Sequence, residues 1–132
     1  MPFTPAVQLI FALDAALQDY LEEGYEQRIK RYNFLAEKMR SGLQEIGFEL
    51  LLFPKKMQSN ILTTIKIPEK MNYWQVHDKL KERGITIYSD DNVISQGNFR
   101  VATLGSITEE DVDWFLANLK EVMGEFNLLI KK

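Results

Sequence analysis

The chain has 132 residues and a formal net charge of −3, a length that fits one domain and argues against two. Hydrophobic residues at 45% and charged residues at 27% are ordinary globular proportions, which excludes wholesale disorder. With no cysteine and one histidine, the chain offers no disulfide framework or zinc site, and its acidic balance does not favour nucleic acid. The absence of cysteine favours a reducing compartment, so we expect a cytoplasmic protein without a membrane segment.

The first 46 residues predict two helices. Thr4 can cap the first helix, Pro5 suits its first position, and Gly24 ends it. The second runs from Tyr25 to about residue 46 and ends at Gly47. Apolar residues recur at helical spacing in both: Val7, Ile10, Phe11, Leu17 and Leu21, then Ile29, Tyr32, Ala36, Met39, Leu43 and Ile46.

The rest of the chain combines short strands with two further helices. Segments rich in β-branched and aromatic residues predict strands at 48–53, 61–67, 85–88 and 99–104. A third helix begins near Trp74, and Thr108 with Asp111 forms the capping arrangement of a fourth. A polar loop covers 89–98. The resulting order, α-α-β-β-α-β-β-α, predicts a single α+β domain over 1–132 with a small sheet packed with helices.

Arg100 interrupts an otherwise apolar strand. There it shares a face with Ala102 and Leu104 and opposes Phe99 and Val101. Arginine is rarely buried without a partner, so Arg100 either lies at a sheet edge or receives an anion. Because guanidinium is the natural bidentate partner of a carboxylate, the second alternative would mean recognition of an organic acid.

The common catalytic motifs are missing from the sequence. It has no glycine-rich phosphate loop, no HExxH and no GxSxG. His77 stands next to Asp78 on a helix rich in charge, so we expect it to be structural rather than catalytic.

Six short segments, taken in their order and spacing, carry a family resemblance. They are Thr4-Pro5-Ala6-Val7-Gln8, Ser59-Asn60-Ile61-Leu62-Thr63-Thr64, His77-Asp78-Lys79-Leu80-Lys81-Glu82-Arg83-Gly84, Ile87-Tyr88, Phe99-Arg100-Val101 with Leu104-Gly105, and Ile107-Thr108-Glu109-Glu110-Asp111. They resemble the small C-terminal domain of class V aminotransferases, which are pyridoxal phosphate enzymes of fold type I. The nearest branch contains 2-aminoethylphosphonate:pyruvate transaminases and alanine:glyoxylate aminotransferases.

The resemblance implies a substrate-binding domain of a ping-pong transaminase. The enzyme would move an amino group, for example from 2-aminoethylphosphonate, to a keto acid such as pyruvate, with pyridoxal phosphate as electron sink. Arg100 matches the family arginine that binds the substrate carboxylate. Thr4 matches a threonine that reaches the cofactor phosphate of the neighbouring subunit, and a plain N-cap role for Thr4 stays open.

The same resemblance implies that no catalytic residue lies on this chain. In the family the Schiff-base lysine belongs to a large domain that precedes this one, so we expect the isolated chain to be inactive. Its implied partners are that large domain and the second subunit of a homodimer. The alternative is a free-standing α+β ligand-binding or dimerisation module without catalysis.

Overall fold

The computed structural model describes residues 5–51 and 54–128. Within it the chain divides into two compact units, Met1–Arg31 and Tyr32–Lys132, and the boundary falls inside the second helix. The elements are α1 (Val7–Glu23), α2 (Tyr25–Ile46), a 3-10 turn (Lys55–Met57), β1 (Leu62–Lys66), α3 (Tyr73–Glu82), α4 (Asp91–Ser95), β2 (Asn98–Ala102) and α5 (Glu109–Glu125). The α+β fold class is confirmed, and a single domain over 1–132 stays a prediction.

The first unit consists of α1 and the beginning of α2. None of the 17 residues of α1 is buried, although its apolar spacing is the one predicted from the sequence. Gly24 ends the helix with φ 78°, a left-handed conformation that suits glycine. Ala6 occupies the N-cap and makes no side-chain capping bond, and the predicted cap Thr4 lies outside the described residues.

An ion-pair cluster joins the end of α1 to the start of α2. Glu23 accepts hydrogen bonds from Arg28 Nε and Arg31 Nε, each at 2.6 Å. The Arg28 guanidinium also lies 4.9 Å from the centre of the Tyr20 ring. The hydrogen bonds from Arg31 and then Arg28 lower the pKa of Glu23 to about 2.

In the second unit, the predicted stripe of α2 forms one side of the core. Its buried residues are Leu35, Ala36, Met39, Leu43 and Ile46, so the predicted positions from Ala36 onward are confirmed. Gly42 marks a close approach to α5, because a Cβ at this position would overlap the side chain of Leu116. Helices α2 and α5 can approach this closely because position 42 of α2 has no side chain.

A two-stranded antiparallel sheet packs on this core. Thr64 pairs with Arg100, and the register places Ile65 opposite Phe99. Thr63 and Ile65 are buried while Leu62 and Lys66 are exposed, so the predicted strand at 61–67 is confirmed over Leu62–Lys66, with one side of it on the core. Phe48 and Phe99 contribute an edge-to-face ring pair with centroids 5.9 Å apart.

Two of the four predicted strands form no strand of the ladder among the described residues. In the 48–53 segment, of which 52 and 53 lie outside the described residues, Leu50 forms an antiparallel bridge to Ile65, with hydrogen bonds from the Leu51 amide to the Thr64 carbonyl and from the Lys66 amide to the Glu49 carbonyl. Residues 85–88 alternate between buried and exposed positions but belong to no ladder in the described part of the chain. Their alternation comes from packing Ile85 and Ile87 on the core, and core packing needs no strand partner.

The remaining helices show how side chains cap helix ends. Asn72 accepts hydrogen bonds from the backbone amides of Trp74 and Gln75 at the start of α3. The predicted Thr108–Asp111 arrangement at α5 is confirmed as a complete capping box. Within the 89–98 segment, which was predicted to be a loop, the short helix α4 forms behind its cap, Asp90.

Candidate functional site

Arg100 lies in the middle of β2 with its side chain on the exposed side of the sheet. Phe99 and Val101 are buried on the opposite side and Ala102 is exposed beside Arg100, as the alternation predicts. Among the described residues, no side chain or carbonyl forms a hydrogen bond or ion pair with the guanidinium. An arginine with five free donors on a rigid strand is therefore available to an anion.

The backbone of β2 is also open along one edge. In an antiparallel pair, alternate residues direct their amide and carbonyl groups toward the partner strand and away from it. The Thr103 amide donates to the Ile61 carbonyl at 2.8 Å, which fixes this pattern. The backbone groups of Asn98, Arg100 and Ala102 therefore point away from β1, and they meet no backbone partner in the part of the chain that the structure describes.

A cavity of about 580 Å³ includes this open edge in its lining. Val101 and Ala102 line it next to Arg100, the extended segment 85–90 contributes a second wall, and Trp114 of α5 contributes a third. The lining is mostly apolar, with a few polar groups from the extended segment. This combination of an apolar wall and one unpaired cation is typical of a site for a small organic anion.

Both carboxylates that line the cavity are held in helix caps. Asp90 accepts hydrogen bonds from the amides of Asn92 at 2.8 Å and Val93 at 3.2 Å. Asp111 accepts from the Thr108 amide at 2.8 Å, and the backbone and side-chain hydrogen bonds of Thr108 hold the pKa of Asp111 below its usual value. Neither carboxylate neutralises Arg100.

The chain matches aminotransferases over almost its entire length. It is 33% identical to an uncharacterized aminotransferase of Methanocaldococcus jannaschii, in an alignment that covers 99% of this chain and 34% of that protein. It is 31% identical to a 2-aminoethylphosphonate–pyruvate transaminase of Syntrophobacter fumaroxidans, over 94% of this chain and 34% of the relative. No family model matches the chain.

The solved structures that superpose well on this chain are aminotransferases too. The ureidoglycine–glyoxylate aminotransferase of Bacillus subtilis superposes with a TM-score of 0.88 at 27% identity, over 98% of this chain and 34% of its own. The alanine–glyoxylate aminotransferase of a Nostoc species gives 0.80 at 26% identity, over 93% and 33%. The chain is a homologue of aminotransferases. It spans about a third of their length, and the resemblance to class V enzymes predicted from the sequence is confirmed.

The two predicted site residues of this aminotransferase homologue have different outcomes. Arg100 is placed at the cavity, whereas Thr4 lies outside the described residues. His77 packs its ring 5.5 Å from that of Trp74, with Nδ1 2.9 Å from an Asp78 carboxylate oxygen. It does not line the cavity, and its structural role stays a prediction.

Ser89 and Asp90 also line the cavity, although neither was among the predicted site residues. A signal for Ser89 was present, because it follows Ile85 and Ile87 at the next inward position of an alternating run. Within the described ranges, no group of three or more His, Asp or Glu side chains could hold a metal ion. None of the helices described here is long and apolar enough to cross a bilayer.

Proposed function

We propose that this chain is the C-terminal substrate-binding domain of a pyridoxal phosphate-dependent aminotransferase, in which Arg100 binds the carboxylate of the amino or keto acid. The observation that carries the proposal is the unpartnered Arg100 guanidinium at a 580 Å³ cavity of an aminotransferase homologue. A guanidinium grips both oxygens of a carboxylate in one plane, which fixes the orientation of the acid as well as its position. Arg100 sits on a paired strand, so its base is held rigidly.

The substrates we propose are a small amino donor and a keto acid such as pyruvate. The names of the relatives support 2-aminoethylphosphonate as the donor, and alanine with glyoxylate as the second pair. Each donor carries one anionic group that a guanidinium can bind, the phosphonate of 2-aminoethylphosphonate or the carboxylate of alanine.

Pyridoxal phosphate, when bound, supplies an electron sink for the amino-group transfer. In the described part of the chain no lysine lines the cavity, so the amine that holds the cofactor is not provided there. We assign that lysine to the large domain of the longer polypeptide.

For Thr4 we propose contact with the cofactor phosphate of the neighbouring subunit. The homodimer and the cytoplasmic location stay predictions.

The surface of α1 supports a partner from the same polypeptide. Leu9, Phe11 and Leu21 are each about 70% exposed, and the large apolar residues of α1 form a broad exposed face. An exposed apolar face of this kind is normally covered by protein. We propose that the large domain covers α1.

The test replaces Arg100 in the full-length holoenzyme. Arg100→Ala should raise the KM for pyruvate about 10- to 150-fold, the loss expected for a hydrogen bond to a charged group. Arg100→Lys keeps the charge but loses the planar fork, so its KM should lie between those of the Ala variant and the parent enzyme. Lys66→Ala is the matched control, because Lys66 is an exposed cation of the same sheet that pairs with Glu49 away from the cavity.

The outcomes separate the alternatives. Steady-state rates with 2-aminoethylphosphonate and pyruvate, and then with alanine and glyoxylate, identify the substrate pair. An unchanged KM in Arg100→Ala would remove the carboxylate assignment and leave Arg100 as a residue of the sheet edge. A gene that encodes no large domain next to this chain would favour the free-standing module.

A further inference from the structure

Ser89 is a polar residue at a buried position of the core. It follows Ile85 and Ile87 in a segment where every second residue is buried, and only 3% of its surface is exposed. Buried serine hydroxyls are normally hydrogen-bonded inside the protein. The groups around Ser89 Oγ therefore show whether this hydroxyl serves folding or binding.

The Ser89 hydroxyl has no hydrogen-bond partner. Among the buried side-chain nitrogen and oxygen atoms of the described residues, Ser89 Oγ is the one left unpaired. The other two buried polar side chains differ: Thr63 Oγ1 accepts from Arg40 Nε at 3.2 Å, and Thr103 Oγ1 donates to the Ile61 carbonyl at 3.4 Å. An orphaned buried hydroxyl is unfavourable for folding, so it calls for a reason outside folding.

The backbone around Ser89 is held in place independently of this hydroxyl. Tyr73 Oη donates to the Ile87 carbonyl at 3.4 Å, and the Ser89 amide is hydrogen-bonded to Tyr73. The Tyr73 side chain is buried, which raises its pKa and keeps it a neutral donor. Tyr73 thus holds the backbone at the serine, whereas no hydrogen bond fixes the orientation of the hydroxyl.

Ser89 lines the same cavity as Arg100. A carboxylate offers about four lone-pair sites, and a bidentate guanidinium fills two of them. Tyr88, another polar residue at the cavity, is exposed and can bond to water, whereas Ser89 Oγ is buried and unpaired in its present orientation. Serine χ1 has three staggered wells, and a ligand in the cavity would bond to Oγ–H in a well that turns it toward the cavity.

From these observations we propose that Ser89 is a second anchor for the substrate anion, donating a hydrogen bond from Oγ–H to the carboxylate that Arg100 holds. The proposal rests on the proposed function, since the anion is the substrate assigned to Arg100. It makes Ser89 a specificity-determining residue, because a hydroxyl at this place favours ligands whose anionic group keeps a lone pair free beyond the two that the guanidinium fills.

The experiment compares Ser89→Ala with Thr103→Val in the full-length holoenzyme, measuring KM and kcat for pyruvate together with Tm. Ser89→Ala should raise KM about tenfold, the upper range for one hydrogen bond, with kcat within a factor of two and Tm unchanged or higher. Thr103→Val also removes a buried hydroxyl, but one that has a partner and does not line the cavity. It should lower Tm and leave KM unchanged.

Arg100→Ala separates failure of this proposal from failure of the proposed function. If Arg100→Ala raises KM and Ser89→Ala leaves it within twofold of the parent, the Ser89 assignment is wrong and the proposed function stands. If neither variant changes KM, both assignments are wrong. A fall of Tm in Ser89→Ala with unchanged KM would show a purely structural serine and would overturn the proposal.

Discussion

Helices α1 and α5 have the same length, 17 residues, and opposite surroundings. Five residues of α5 are buried and its start is closed by a capping box, whereas α1 buries none and has no side-chain cap. Both carry enough apolar side chains to pack. Apolar content therefore shows that a helix needs a packing partner but not where that partner lies. Helix α5 packs on the core of its own unit.

The largest expected change in the free energy of unfolding comes from core packing, which differs between the two helices. Leu119→Ala in α5 removes a fully buried side chain and should lower the free energy of unfolding by about 2–5 kcal/mol. Leu9→Ala in α1 removes a side chain that is 71% exposed and should change it by less than about 0.5 kcal/mol. Urea unfolding of the 132-residue chain gives both values. A loss above about 1 kcal/mol for Leu9→Ala would mean that α1 is packed and would break the contrast.

A smaller effect tests the capping difference. Thr108→Ala removes the hydroxyl that accepts from the Asp111 amide, and it should lower the free energy of unfolding by about 1 kcal/mol. Ser106→Ala, two residues earlier and outside the capping box, is the control. Equal losses for the two variants in thermal unfolding would argue against a working cap.

The smallest expected effect concerns the ion pairs at the end of α1. The folded-state pKa of Glu23, about 2, lies below its ordinary value of 4.5, so its pairing contributes stability above pH 4.5 and loses it as the pH falls toward 2. Glu23→Gln should remove that part of the acid dependence of helix content, measured by circular dichroism between pH 5 and 2. Glu22→Gln should retain it, and identical acid profiles for the two variants would contradict the assignment.

Local signals predicted the parts of this fold that depend on neighbouring residues. The capping pair Thr108 and Asp111, the stripe of α2 from Ala36 to Ile46 and the orientation of Arg100 all follow from spacing within one element. Helix α4 was missed because five residues are too few for a helical period, and its one signal was Asp90 as a cap.

Pairing between distant segments was the part that could not be predicted. Residues 85–88 alternate as a strand does, yet alternation reports one buried side and says nothing about a ladder partner. The same limit applies to the site. Arg100 could be singled out because a charge in an apolar strand is conspicuous, whereas Ser89 is inconspicuous until the structure shows its hydroxyl buried and unpaired.

The close approach at Gly42 has a consequence for how this domain can change. A methyl group there would favour the helix by about 1 kcal/mol over glycine, but it would occupy space that Leu116 already fills. The two positions therefore share one volume, and a larger residue at 42 becomes tolerable only with a smaller one at 116. Substitutions at these sites should compensate each other although they lie 74 positions apart along the chain (116 − 42).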